Sequence, residues 1–217
     1  MTVGKAKRKS LEVKLKLFSP ISYVLLGVLS CGVSQAAGDV ERGKEKSQVC
    51  VSCHGPDGNS IAPTFPRIAG QVPGYIAKQL ARFKSGEREN AIMAGIVQPL
   101  SEEDMVDLDA YYSAQSPQAG SITEAERELA EEGADLYRGG YAQTQIAPCM
   151  SCHGPNGHGI PPHFPRVAGQ FREYAVQQLL AFKTGTRVSH GNIMTQIAFL
   201  MSERQIQAVA AHMQALQ

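Results

Sequence analysis

The chain has 217 residues, with 21 Lys and Arg against 20 Asp and Glu, 43% hydrophobic residues, no tryptophan and five cysteines. That length accommodates one or two domains, and a balanced charge argues against a nucleic-acid binder, which presents a basic surface. Four of the five cysteines fall in two close pairs, so none is left to build a structural disulfide.

Residues 1–36 read as a secretory signal peptide. Six basic residues and one acid, Glu12, precede an apolar run from Leu17 to Val33, and Ser34-Gln35-Ala36-Ala37 follows as a small-residue cleavage site. Proline interrupts the run, which is short for a permanent membrane span. Cleavage is expected after Ala36, and Cys31 is expected to leave with the leader rather than serve as a lipid anchor. The remaining chain then carries 15 basic and 19 acidic residues, a net charge of −4.

A short helix is expected from Val40 to Val51, running into Cys50-Val51-Ser52-Cys53-His54. C-x-x-C-H is the attachment signal for a c-type haem. Residues three and four apart share a helix face, so two thiols reach the two vinyl groups of one porphyrin and the histidine rises towards its iron. Tyr75 to Lys84 reads as a helix stopped by Gly86. Ser101 caps another, with Met105, Leu108, Tyr111 and Tyr112 at helical spacing. Thr123 with Glu126 opens a helix that runs to about Arg138. A second motif follows, Cys149-Met150-Ser151-Cys152-His153. Helices at Tyr174–Lys183 and Glu203–Leu216 then repeat the pattern, and no strand alternation appears. A zinc site would need ligands that the sequence offers only about a hundred residues apart. A thiol redox pair would follow a strand.

The chain is an internal repeat. At a shift of 99 residues, Cys50-x-Ser52-Cys53-His54-Gly55-Pro56-x-Gly58 meets Cys149-x-Ser151-Cys152-His153-Gly154-Pro155-x-Gly157. At the same shift Phe65-Pro66-Arg67-x-Ala69-Gly70-Gln71 meets Phe164-Pro165-Arg166-x-Ala168-Gly169-Gln170. Two extra residues in the second copy move the shift to 101, where Ile92-Met93 meets Ile193-Met194. The expected organisation is a first domain over residues 37–116, a linker over 117–121 and a second domain over 122–217. Domains of this size have marginal cores, so the haem-free chain is expected to fold poorly.

The repeat also bears on the second axial position. The first domain holds one histidine, His54, so methionine is the expected partner, its thioether raising the potential. Of Met93 and Met105, only Met93 has a methionine counterpart, Met194. Met105, Met201 and Met213 face apolar or aromatic positions in the other copy and read as core. Both candidate ligands are expected in irregular stretches. His158, His163, His190 and His212 have no histidine counterparts and read as surface residues, with His190 close enough in sequence to influence Met194. The carbonyls of Pro66 and Pro165, twelve residues after each motif histidine, are candidates to accept the imidazole N–H. Arg67, Arg88 and Lys84 recur as Arg166, Arg187 and Lys183, either as partners for haem propionates or as solvated surface charge.

Two C-x-x-C-H-G-P segments, two Phe-Pro-Arg-x-Ala-Gly-Gln segments and two late Ile-Met pairs resemble the dihaem cytochrome c4 family over residues 38–217. The resemblance implies an all-α fold of two tandem class I cytochrome c domains about a pseudo-twofold axis. It implies two covalently bound haem c groups per chain. It places the haems on Cys50, Cys53, Cys149 and Cys152, with His54, Met93, His153 and Met194 as axial ligands and Pro66 and Pro165 behind the histidines. It further implies a periplasmic electron carrier, associated with the membrane surface in many members. Electrons would pass from a quinol:cytochrome c reductase towards a terminal oxidase or another small carrier, with no small-molecule substrate. The shorter approach to Met93, Glu89-Asn90-Ala91, predicts unequal haem environments. Two competing readings are a cytochrome subunit of a flavin-dependent sulfide dehydrogenase and a catalytic dihaem enzyme such as a peroxidase. The second needs an open iron position, and the matched methionines count against it.

Overall fold

A computed structural model describes residues 38–217, so the expected leader, Cys31 and the cleavage position lie outside the described residues. These residues form ten α-helices, and their only β pairings are the isolated bridges Tyr141 to Ile146 and Ile160 to Phe164. The first repeat comprises α1 (Val40–Lys46), α2 (Val51–His54), α3 (Tyr75–Ser85), α4 (Ala91–Val97) and α5 (Glu102–Ser113). The second comprises α6 (Glu124–Gly139), α7 (Met150–His153), α8 (Arg172–Thr184), α9 (Ile193–Phe199) and α10 (Glu203–Ala215).

Local signals explain most boundaries. Ser101 and Ser202 cap α5 and α10 in capping boxes with Asp104 and Gln205, and Thr123 does so for α6 with Glu126. Gly86 and Gly185 end α3 and α8 at φ of 80° and 75°, a left-handed conformation that glycine adopts without strain. The expected helix from Val40 to Val51 is divided by a 3₁₀ turn at Ser47–Val49. The α3 start is made by a distant residue, because its N-cap Gly74 has no side chain. Asp109 of α5 accepts instead from the N–H groups of Gly74, Ile76 and Ala77 at 2.7, 2.8 and 3.2 Å. The equivalent of Asp109 is Ala210, and α8 starts two residues before the expected Tyr174, where the Arg172 N–H donates to Gln214 Oε1 at 2.7 Å.

In each repeat the first and last helices cross at a glycine. A Cβ built on Gly43 would lie 2.1 Å from the Asp107 carbonyl oxygen, and one on Gly133 would lie 2.0 Å from that of Ala208. Asp107 also ties the chain start to α5. Its buried carboxylate accepts from the Asp39 N–H at 2.7 Å and from Arg42 Nε and Nη2 at 2.8 and 3.2 Å. The hydrogen bond from Arg42, with the Asp39 N–H and nearby cations assisting, holds this carboxyl below the usual carboxylate range. Such a group contributes stability above the unfolded carboxyl pKa near 3.9, and the contribution disappears as pH falls through the folded value. Asp107→Asn is therefore expected to cost about 2 kcal/mol at pH 7. The gap between parent and variant should narrow towards pH 3, as read by guanidinium unfolding at the two pH values.

Each repeat has its own core. Ile76, Leu80, Phe83, Val97, Leu100, Met105, Leu108, Tyr111 and Tyr112 form the first. Leu136, Tyr137, Leu179, Met201, Ile206, Val209 and Met213 are the larger members of the second. Met105, Met201 and Met213 are thus core residues, as their counterparts indicated. His212 departs from the surface expectation. It is buried on the inner face of α10 against the Tyr137 ring, with centroids 5.2 Å apart. Its register on α10 is that of the core residue Tyr111 on α5, and burial lowers its pKa.

Residues 116–123 join the repeats without helix. They are pinned on both sides, with Asn59 bonded to the Ser116 carbonyl and the Gln118 N–H at 2.9 and 2.8 Å, and Gln214 Nε2 donating to the Ser121 carbonyl at 2.6 Å. Between the repeats, Arg88 donates to Gln79, Tyr174 and Gln178, while Arg187 donates to Gln178, Tyr75 and Gln79. Lys84 donates to the Leu100 carbonyl and Lys183 to those of Phe199 and Met201. Arg88, Arg187, Lys84 and Lys183 are therefore hydrogen-bonded within the fold.

Candidate metal centres

Cys50 and Cys149 begin single-turn helices, α2 and α7, and the N–H of the motif histidine returns to the carbonyl of the first cysteine at 2.9 Å in both. This turn brings Cys50, Cys53 and His54 close together, and likewise Cys149, Cys152 and His153. All four cysteines are free and part-buried. Cys50 and Met93 pack against the first core, and Cys149 and Met194 against the second. The first cysteine of each motif and the late methionine of the same repeat thus pack against one core.

Both histidines are held in one tautomer. His54 Nδ1 lies 2.9 Å from the Pro66 carbonyl oxygen and His153 Nδ1 lies 2.8 Å from that of Pro165. A carbonyl only accepts, so Nδ1 carries the proton and Nε2 keeps its lone pair. Burial lowers both imidazole pKa values, against the opposing effect of the proline carbonyls, so the rings stay neutral and suited to ligation. Phe65 and Phe164 meet the two rings edge-on at 6.4 Å. Burial also raises the Cys149 thiol to about 11 and pushes that of Cys50 upward. Free thiolates are thereby disfavoured, and covalent attachment removes the ionisation altogether.

The late methionines are not in irregular stretches, contrary to the expectation. Met93 lies in the first turn of α4, its N–H donating to Asn90 Oδ1 at 2.9 Å. Met194 lies in the first turn of α9, its N–H donating to Ser189 Oγ at 2.9 Å. Asn90 is a side-chain N-cap that the sequence reading passed over. The two extra residues of the second copy form a 3₁₀ turn at His190–Asn192, with Gly191 and Asn192 at φ of 61° and 55°. His190 is exposed and stacks on His163 at 5.1 Å. The aromatic clasp on the turn after each motif was also not anticipated. Tyr111 donates to the Pro56 carbonyl at 2.8 Å, and Tyr137, from a different element, donates to that of Gly154 at 2.7 Å.

The donor set suits a covalently held haem and little else. Each motif offers one neutral imidazole nitrogen and two thiols spaced for vinyl addition, and the core beside it carries one late methionine. Among the described residues no cluster of three or more His, Cys, Asp or Glu is placed to hold a bare metal ion.

A cytochrome c family model matches residues 40–115 and 130–217. Cytochrome c4 of Azotobacter vinelandii is 39% identical over 205 residues, covering 89% of this chain and 96% of that protein. The thiosulfate dehydrogenase electron acceptor of Stutzerimonas stutzeri is 41% identical over 170 residues, covering 76% of this chain and 78% of that protein. The crystal structure of reduced recombinant cytochrome c4 from Pseudomonas stutzeri matches with a TM-score of 0.79 at 38% identity, covering 83% of this chain and 100% of that one. With one C-x-x-C-H in each matched segment, the chain belongs to the cytochrome c4 family, as a dihaem c-type cytochrome that transfers electrons.

Proposed function

We propose that this cytochrome is a periplasmic carrier that takes electrons from a quinol:cytochrome c reductase and delivers them to a terminal oxidase or to another small carrier. Cys50 and Cys53 would hold one haem by thioethers, with His54 and Met93 as the protein ligands to its iron. Cys149, Cys152, His153 and Met194 would do the same for the other. When bound, the haem supplies one-electron cycling between ferrous and ferric iron. Pro66 and Pro165 fix the imidazole tautomer so that Nε2 keeps its lone pair for an iron. The apolar cores against which Met93 and Met194 pack would keep water from competing with these thioethers for the iron. The domains span residues 37–116 and 122–217, and export follows from the leader at residues 1–36.

The observation that carries this reading is the duplicated histidine–proline bond behind each C-x-x-C-H motif, at 2.9 and 2.8 Å. The test is an absorption spectrum of the mature protein extended to the weak near-infrared methionine–iron band, together with an intact mass. Two haems per chain, loss of residues 1–36 and the methionine–iron band are expected. One haem per chain, or a spectrum without that band, contradicts the reading. A chain with all four motif cysteines changed to alanine is expected to lose most of its helical circular dichroism, since each small core is completed by the porphyrin.

A second donor is favoured by the 41% identity to a thiosulfate dehydrogenase electron acceptor. Stopped-flow reduction by a thiosulfate dehydrogenase with thiosulfate, compared with reduction by a quinol:cytochrome c reductase with quinol, distinguishes the two. The faster second-order rate identifies the physiological class of donor.

A further inference from the structure

The hydrogen bond behind each histidine continues into the other domain. The Pro66–Arg67 peptide accepts from His54 Nδ1 through its oxygen at 2.9 Å and donates its N–H to Gln170 Oε1 at 3.0 Å. Gln170 belongs to the second repeat, and its Nε2 donates to the Arg67 carbonyl at 2.9 Å. The mirror arrangement is present. The Pro165–Arg166 peptide accepts from His153 Nδ1 at 2.8 Å and donates to Gln71 Oε1 at 2.7 Å, while Gln71 Nε2 donates to the Arg166 carbonyl at 3.1 Å. Neither amide can be turned over. Gln71 Oε1 also accepts from the Val72 N–H at 2.9 Å and Gln170 Oε1 from the Phe171 N–H at 3.1 Å, so a flip would set NH₂ against two N–H donors. Gln71 is buried, which keeps water from taking its place.

We propose that each glutamine tunes the iron of the opposite domain, Gln170 acting on the site of His54 and Gln71 on the site of His153. The inference rests on the axial roles given above. A peptide's C=O and N–H are joined by resonance, so an acceptor on the N–H places more negative charge on the oxygen. Bonds in such a chain strengthen one another by about 10–30% each. A stronger acceptor gives the imidazole more anionic character and makes it a better donor to the metal. That favours ferric over ferrous iron, so each glutamine lowers the potential of the haem it does not share a domain with. Gln71 and Gln170 are positioning residues. The docked pair of domains then has potentials that neither domain has alone, and any partner that loosens the interface raises both.

The test uses the full-length mature holoprotein with Gln71→Leu, Gln170→Leu and Gln170→Glu. Midpoints are read by spectroelectrochemistry, and the His54 and His153 Nδ1 proton resonances by NMR of the reduced protein. A Met194→His background moves the second midpoint away so that the first is read alone, and Met93→His does the converse. Gln170→Leu should raise the midpoint of the His54 haem by at least a threefold change in its reduction equilibrium, about 28 mV at 59 mV per tenfold. It should shift the His54 Nδ1 proton and move the His153 haem less than half as far. Gln71→Leu should do the reverse. Gln170→Glu keeps an oxygen acceptor and makes it anionic, and should take the His54 midpoint below the parent value. If the leucine variants do not mature, Gln170→Glu alone decides, by a larger fall in the His54 haem than in the His153 haem. Shifts confined to the haem of the substituted domain, equal shifts in both, or no shift, overturn the proposal. Absence of the methionine–iron band in the parent protein overturns the axial assignment instead, and the spectrum reports that separately from the potentials.

Discussion

Exchanging Met93 for histidine is expected to lower the potential of the first haem by on the order of 0.2 V, within the ~0.8 V span that axial ligands set, and to leave the second nearly unchanged. A thioether is a soft ligand that favours ferrous iron, whereas imidazole donates more strongly and favours ferric iron. The backbone at Met93 is already anchored, by the bond from its N–H to Asn90 Oδ1 at 2.9 Å, so the substitution changes the ligand with little change in the turn that carries it. About half of the methionine–iron band should vanish while both haems remain attached. Met105→Leu is the control. Met105 is buried in the first core at 4% exposure, and a volume-conserving swap there should cost less than about 1.5 kcal/mol with the potential and the band intact. A spectroelectrochemical titration of the two variants separates the roles. An equal response from Met105 and Met93, or no fall in the Met93 variant, contradicts the ligand assignment.

Gly133→Val is expected to be strongly destabilising. Even a Cβ at this site would stand 2.0 Å from the Ala208 carbonyl oxygen, which is backbone and cannot turn aside. The α6–α10 crossing must open, and the surrounding Leu136, Tyr137, Ile206 and Val209 lose contact together. Overpacking of this kind costs about 3 kcal/mol, or ~10 °C of melting temperature for a protein of this size. Gly43→Val should act similarly at the α1–α5 crossing, where the clash is with the Asp107 carbonyl at 2.1 Å. Differential scanning calorimetry of the holoprotein reads both. Gly139→Val is the comparison, since a Cβ there meets nothing within 4 Å, and an equal loss of stability in that variant would remove the crossing as the cause.

The haem motifs, the helical class and the duplication were legible because they are local or self-referential. C-x-x-C-H is one helical turn, a capping box spans four residues, and a repeat needs no partner beyond the chain itself. The same comparison singled out Met93 and Met194 without any contact information. It did not find the pairing of Gly43 with Gly133, because those residues match at a shift of 90 rather than 99. The second copy spends nine further residues on the turn through Tyr141 to Ile146 before its motif.

What the linear order alone determined is the candidate set for the chemistry: four thiols, two imidazoles and the proline carbonyls placed twelve residues after them. What only the tertiary structure decided is everything that depends on chain segments far apart meeting. His212 is buried because α10 turns it towards Tyr137, and α3 is capped by Asp109, which lies after it in the chain. Arg187 is buried, and Arg88 bonds to Tyr174 and Gln178, because the two repeats meet. The Gln71 and Gln170 bridges have the same origin. A glutamine's reach across about a hundred residues of sequence leaves no periodic or compositional trace, because the partner is a backbone peptide that every residue type supplies.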